Sequence, residues 1–272
     1  MQNLQRKGAT AFNKIPGEIL FQLNKGTIAS ANLVEWLAVD KMLLLENLLQ
    51  EIKRKKYFNS IAKEINNLRK KSVNTVNETI GRGLLLAAQK YNDTELLQII
   101  SEHPSDSVRC WAAYTVGMNH LISIEEKLEN IKPFSADAHF GVREIAWFAV
   151  RPSIAKDLNK SISLLTSWTL SQDPYIRRFA SEATRPRGVW CSHIEVLKKN
   201  PRLGIPILAP LKSDPEKYVR DSVGNWLNDA GKSQPQFVIS ICKKWEKESK
   251  TKETAYIIGK ALRTIQQKVK IR

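Results

Sequence analysis

Tyr175-Ile176-Arg177-Arg178-Phe179-Ala180-Ser181-Glu182-Ala183-Thr184 decides the fold, because its frame returns along the chain. The frame begins with an aliphatic residue followed by arginine, Ile176-Arg177. The same pair stands at Val108-Arg109, Val142-Arg143 and Val219-Arg220, at steps of 34, 34 and 43 residues (142−108, 176−142, 219−176). Four positions after each aliphatic residue come Ala112, Ala146, Ala180 and Val223, and eight positions after come Val116, Val150, Thr184 and Leu227. Spacings of four and eight put these residues on one helix face. A helix face repeated at this period predicts an all-α, HEAT-like α-solenoid of stacked helical hairpins, since one hairpin cannot bury its own face and stacks on the next. Solenoids present one long concave surface, and here each repeat that carries the frame is expected to bring an arginine to it.

Outward from that stretch the hairpins follow in order. Thr94–Glu102 is expected to pair with Ser107–Met118, Ile124–Asn130 with Phe140–Arg151, and Lys160–Leu170 with Tyr175–Thr184. Leu203–Leu211 pairs with Glu216–Leu227 and Phe237–Trp245 with Thr254–Ile265. Ser105-Asp106, Asp173-Pro174 and Asp214-Pro215 open the second helices as N-terminal signals. The last hairpin has Tyr256-Ile257-Ile258 where the others have aliphatic-Arg, as an atypical terminal repeat would. Upstream, Ser30 is expected to cap a helix through Trp36, and Asp40 to start another through Leu48. Two more are predicted at Phe58–Arg69 and Val73–Tyr91. The expected organisation is one domain over 1–272, with 1–26 loosely patterned and the last repeat at 233–266. Thr184-Arg185-Pro186-Arg187-Gly188-Val189-Trp190 breaks the pattern and accounts for the 43-residue step. Proline, glycine and arginine predict a loop, where binding chemistry often sits.

The 272 residues are 42% hydrophobic, enough for one large domain or two small ones. The net charge is +16 and the pI about 9.8. That surplus points to a polyanion, nucleic acid first and an acidic membrane surface second. Cys110, Cys191 and Cys242 are far apart with no CxxC pair, which fits a reducing compartment. No secretory signal is visible in 1–14, and no apolar run is long enough to span a bilayer. A soluble cytoplasmic protein, working as a monomer, is expected.

Four constellations carry candidate chemistry. The repeat arginines, Arg143 and Arg220 among them, either form a track for phosphates or brace the inter-helix turns; spacing leaves both open. Arg143, Glu144, Trp147 and Arg151 lie at i, i+1, i+4 and i+8, on one helix side; the alternative is a surface network with Trp147 half in the core. Arg178, Glu182, Arg185, Arg187 and Trp190 crowd arginines around one carboxylate and a loop tryptophan, although Arg178 and Glu182 also suit an ordinary helix pair. Asp221, Asn225 and Asp229 form a polar stripe. Asp229 stands at a helix end, where a carboxylate opposes the dipole, or else belongs to a turn before Gly231. Two S-x-x-K matches, the Cys191/His193 pair and Gly81-Arg82-Gly83 lack the companions that a β-lactamase, zinc or dinucleotide site needs.

Three stretches carry a resemblance. They are Phe148-Ala149-Val150-Arg151-Pro152-Ser153-Ile154, the block Tyr175 to Arg187 with Trp190 beyond it, and Tyr218-Val219-Arg220-Asp221-Ser222-Val223-Gly224-Asn225-Trp226-Leu227-Asn228-Asp229. With Asn32-Leu33-Val34-Glu35-Trp36-Leu37-Ala38-Val39-Asp40 they resemble the bacterial HEAT-like alkylpurine DNA glycosylases, in the AlkC branch, over roughly Ser30 to Ile265. The resemblance implies a C-shaped α-solenoid with a basic concave face that clamps duplex DNA. It implies a monofunctional DNA glycosylase for DNA alkylation repair, hydrolysing the N-glycosidic bond of cationic alkylated bases such as N3-methyladenine, with no metal and no cofactor. By position Asp229 matches the catalytic aspartate, and Glu182, Arg185 and Trp190 match lesion-adjacent residues. Trp147, Arg143, Arg151, Arg178, Arg187 and Arg220 complete the candidate lesion and DNA contacts. One departure stands out. The family has a catalytic glutamate just before its F-A-x-R-P segment, and this chain has Trp147 there, with Glu144 one turn back on the same face.

Three functions follow. The first is an alkylbase glycosylase using Asp229 with Glu144 or Glu182. The second is a non-catalytic DNA-structure binder on the same scaffold, favoured by Trp147. The third is a protein-interaction solenoid.

Overall fold

The computed structural model describes residues 6–188 and 191–270. The frame that predicted helical repeats does build them. Val108, Val142 and Val219 are buried, and so are Ala112, Ala146, Ala180 and Val223 and all four residues a further turn on; Ile176 is half-buried. The helices are α1 Gly17–Lys25, α2 Leu33–Ala38, α3 Lys41–Glu51, α4 Phe58–Asn66, α5 Val73–Tyr91, α6 Leu96–Ser101, α7 Asp106–Met118 and α8 Ile124–Ser135. After them come α9 Phe140–Lys156, α10 Leu158–Trp168, α11 Pro174–Ala183, α12 Glu195–Lys199, α13 Ile205–Leu208, α14 Lys217–Gly231, α15 Pro235–Glu248 and α16 Lys252–Lys270. The described residues contain no strand, and none of their helices is long and apolar enough to cross a membrane.

The chain forms two compact units. The first holds the residues up to Ile122 together with Asp137–Ala149. Its core joins Leu44, Leu45 and Leu48 of α3, Ile80 and Leu84 of α5, and Trp111 and Ala112 of α7, all essentially inaccessible. Gly81 lets α5 lie against α7: a Cβ there would stand 2.4 Å from Tyr114 Cβ and 2.9 Å from the Trp111 carbonyl. Asp40 caps α3 as expected, accepting from the Met42 and Leu43 amides. The cap of α2 is Asn32 and not Ser30, because the Ser30 amide and hydroxyl both donate to Asp106, at 2.8 and 2.9 Å, and tie this segment to the start of α7.

The second unit holds Ser123–Ala136 and the residues from Val150 onward. Ring contact between Trp168 of α10 and Phe179 of α11, 5.1 Å between centroids, leads into a core of Ala180, Val223, Trp226, Leu227, Trp245, Ile257 and Ala261. Gly224 admits α16 against α14: a Cβ would lie 2.7 Å from Lys260 Cβ. The helix expected over 203–211 is instead a 3-10 turn, Pro201–Gly204, and the four-residue α13, since Pro206 and Pro210 allow no longer run. The 43-residue step also contains α12, which the sequence pattern had not indicated.

Candidate functional site

The frame arginines share one geometry. Arg109, Arg143, Arg177 and Arg220 each send Nη1 to the two carbonyls five and six residues upstream, those of Pro104 and His103, Ala138 and Asp137, Gln172 and Ser171, and Pro215 and Asp214. An arginine one residue past the core position, at the end of the first helical turn, reaches back over its own inter-helix turn and satisfies carbonyls that have no helical partner. Arg109 and Arg177 add a two-point grip on a carboxylate: Arg109 on Asp137 (2.7 and 3.1 Å) and Arg177 on Asp214 (2.7 and 3.0 Å). Of the two alternatives the spacing left open, turn bracing is the one this geometry displays.

The densest polar cluster lies in the second unit, where α11, the segment after it and the end of α14 meet. Arg185 is its hub. Nη1 donates to Glu182 Oε1 at 2.6 Å, while Nε and Nη2 donate to Asp229 Oδ2 at 2.9 and 2.7 Å. The other Asp229 oxygen accepts from Lys232 Nζ at 3.0 Å. Glu182 Oε2 accepts from the Ser222 hydroxyl at 2.7 Å and lies 3.7 Å from Arg178 Nη2. Glu182 is 5% exposed and Asp229 3%, so two carboxylates are held out of bulk water around one guanidinium. Burial alone pushes the Glu182 carboxyl up; Arg178, Arg185 and the Ser222 hydroxyl outweigh it and hold the group below the ordinary carboxylate range. Asp229 lies inside the last turn of α14, which continues to Gly231, and not in a turn after it.

Around this cluster Arg178 stacks over the Tyr218 ring at 4.1 Å, and Arg187 Nη2 donates to the Ser233 hydroxyl at 2.7 Å. Arg151 is 2% exposed, and its three donors meet main-chain carbonyls of Ala183, Arg185 and Ser192 at 2.8, 2.5 and 3.2 Å. It closes the C-terminal end of α11, where helical carbonyls lack partners. Trp190 lies outside the described residues. Ser222, Lys232 and Trp226, whose indole donates to the Thr184 carbonyl at 2.9 Å, belong to the cluster but were not singled out in the sequence. Ser222 follows Asp221 by one position and so faces α11, a signal available only once α11 and α14 are known to touch.

In the first unit, Trp147 stands where the resemblance expects a glutamate. It is buried, lies against Phe148 with centroids 5.7 Å apart, and donates its indole N–H to Glu144 Oε2 at 2.8 Å. The one-sided set Arg143, Glu144 and Trp147 is thus partly an internal network. Asp221 and Asp229 share a stripe but not an environment: Asp221 accepts from Lys217, Tyr256 and Lys260.

Residues 142–265 match a family described as DNA alkylation repair enzyme. A stretch of 140 residues, 52% of this chain, is 36% identical to the uncharacterized protein YhaZ of Bacillus subtilis (strain 168) and spans 38% of it. The fold is similar to that of Pseudomonas fluorescens alkylpurine DNA glycosylase AlkC bound to DNA containing an abasic site analog. The TM-score is 0.66 at 22% identity, covering 95% of this chain and 65% of that one. It is also similar to AlkD2 from Streptococcus mutans, with a TM-score of 0.57 at 26% identity over 76% of this chain and 97% of that one. The chain thus spans less than two thirds of the length of YhaZ and of AlkC.

Proposed function

We propose that the chain is a member of the HEAT-like AlkC/AlkD superfamily of DNA alkylation repair proteins, and that it is a monofunctional DNA glycosylase acting, as a monomer, on cationic alkylated bases such as N3-methyladenine in duplex DNA. The observation that carries this reading is the pair of buried carboxylates, Glu182 and Asp229, held by the single guanidinium of Arg185.

The chemistry asks little of the protein. An alkylated purine cation already leaves well. The C1′–N bond breaks, its electron pair stays on the base, and the base departs neutral. Positive charge then collects on the sugar, and a fixed carboxylate in a water-poor setting stabilises it. Water adds at C1′ and gives its proton to the carboxylate and then to solvent. Asp229 is the group assigned to this work. Arg185 fixes its Oδ2, while Oδ1 is held by Lys232, whose side chain is 41% exposed. The Oδ1 edge is therefore the one a sugar reaches by displacing one amine. Glu182 keeps Arg185 in place. Glu144, carried by the first unit, is the second candidate acid, and Glu144→Gln tests it separately.

A second reading has its own support. All three carboxylates already have internal partners, and Trp147 replaces the glutamate that the resemblance expects. A DNA-structure binder without base excision fits those facts.

The test is release of free base from a methylated duplex, separated by chromatography, with DNA affinity measured alongside. Wild type is expected to release base, and Asp229→Asn to release none while binding DNA equally well. Equal release by the variant removes Asp229 from the mechanism. Binding without release by wild type establishes the second reading.

A further inference from the structure

Gly259 is the eighth residue of the nineteen-residue α16, a position where glycine weakens a helix. Two other helical glycines have a reason on their own chain: Gly81 and Gly224 each let a neighbouring helix approach. Gly259 shows none: apart from its chain neighbours and its own helix backbone, no atom of the described residues lies within 4 Å of the Cβ it lacks. It lies in a shallow, open groove of about 540 Å³ whose lining comes from α16 alone and includes Tyr256, Lys260, Arg263, Gln266 and Gln267. These residues stand at i−3, i+1, i+4, i+7 and i+8 from the glycine, a single helix face without a carboxylate among them.

The groove's edge is charged and organised. Lys217, Arg220 and Lys260 place their cationic groups 5.6, 5.5 and 5.7 Å from the centre of the Tyr256 ring. Asp221 locks three of these residues in register: it accepts from Lys217 at 2.8 Å, from the Tyr256 hydroxyl at 2.6 Å, and from Lys260. Exposed Arg263 adds a fourth cation to this face, and Asp221 pairs with Lys217 and Lys260. A bare backbone between fixed cations suits a chain that carries regularly spaced negative charge and must come close, and glutamines beside it supply further donors.

We propose that this face of α16 is a docking site for the sugar-phosphate backbone of duplex DNA, with Gly259 as the point of closest approach. The site is separate from the Glu182–Arg185–Asp229 cluster. Asp221 lies eight residues before Asp229 on α14, about 12 Å along the helix at 1.5 Å per residue. The assignment rests on the DNA-binding reading above and adds an anchor that the candidate excision chemistry does not use.

Gly259→Ala tests it with an internal control. The methyl group meets nothing in the free protein, so it strengthens the helix and raises Tm by about 2–4 °C. In the complex it occupies the space the backbone needs, and affinity for an unmodified duplex falls on the order of tenfold by fluorescence anisotropy. Arg263→Ala lowers the slope of log affinity against log salt by about 0.9. A Gly259→Ala protein that melts higher and binds like wild type, with Arg263→Ala leaving the slope unchanged, overturns the proposal while leaving DNA binding intact. A wild-type protein that binds no duplex at low salt overturns both this site and the function it rests on.

Discussion

Arg185 joins two carboxylates that stand 3 and 44 residues away from it in sequence. Buried ions of this kind are costly to leave alone: deleting one partner strands the others without compensation. Arg185→Ala is therefore expected to lose about 3–5 kcal/mol of stability in urea unfolding, more than any surface arginine. Arg185→Lys restores a charge but not the fork and recovers only part of it. The pH dependence has a definite sign. The native Glu182 carboxyl is held below its ordinary range, so its contribution is complete above the unfolded value near 4.5 and is lost as pH falls below that value through the native one. Glu182→Gln removes this component of acid destabilisation, which a urea series between pH 3 and 6 measures. The sequence placed Glu182, Arg185 and Asp229 among the candidates by resemblance. It did not show that one arginine holds both acids, because nothing local encodes a contact across 44 residues.

At the scale of elements, the turns between helices are built by side chains as much as by the backbone. Arg177 covers two carbonyls of its turn and grips Asp214, which in turn accepts the Glu216 amide at 2.9 Å before α14 begins. Removing Arg177 leaves a carboxylate only 3% exposed without its cation. Arg177→Ala is expected to cost about 3 kcal/mol, whereas Arg220→Ala, which removes bonds to two carbonyls and a contact with the Tyr256 ring, costs closer to 1 kcal/mol; thermal melting separates the two. Element by element, the sequence was legible wherever a long apolar period had clear ends: Val73–Tyr91 appears as expected, and Asp40 and Asp173 cap as their types suggest. It was misleading at Ser30, whose hydroxyl serves Asp106, 76 residues away, in place of its own helix. It was misread over 195–211, where three prolines and pieces of four or five residues carry too little period to read.

For the whole molecule, a net charge of +16 makes ionic strength the decisive variable. If six or more of the cations meet phosphate, affinity for duplex DNA is expected to fall by about three orders of magnitude or more between 50 and 200 mM salt. A slope near zero would show that the charge serves something other than DNA. Composition points to a polyanion but does not locate where it would bind. The frame arginines, the obvious choice on periodicity, are turned onto their own carbonyls, and exposed positive charge on α16 sits on a repeat that lacks the frame.

The two-point grips of Arg109 on Asp137 and of Arg177 on Asp214 have the same form but enclose different lengths of chain, 28 residues in one case and 37 in the other (137−109, 214−177). The architecture therefore keeps count by clasps and not by residues. Nine additional residues fit inside the second clasp, with α12 among the material enclosed, and the next helix still begins three residues after the gripped aspartate. Because lengthening a loop costs only slowly growing entropy, such a chain can acquire new peptide inside a repeat without renegotiating its neighbours. The interval between Arg177 and Asp214 is then a place where descendants, or engineers, can write new recognition into an old frame.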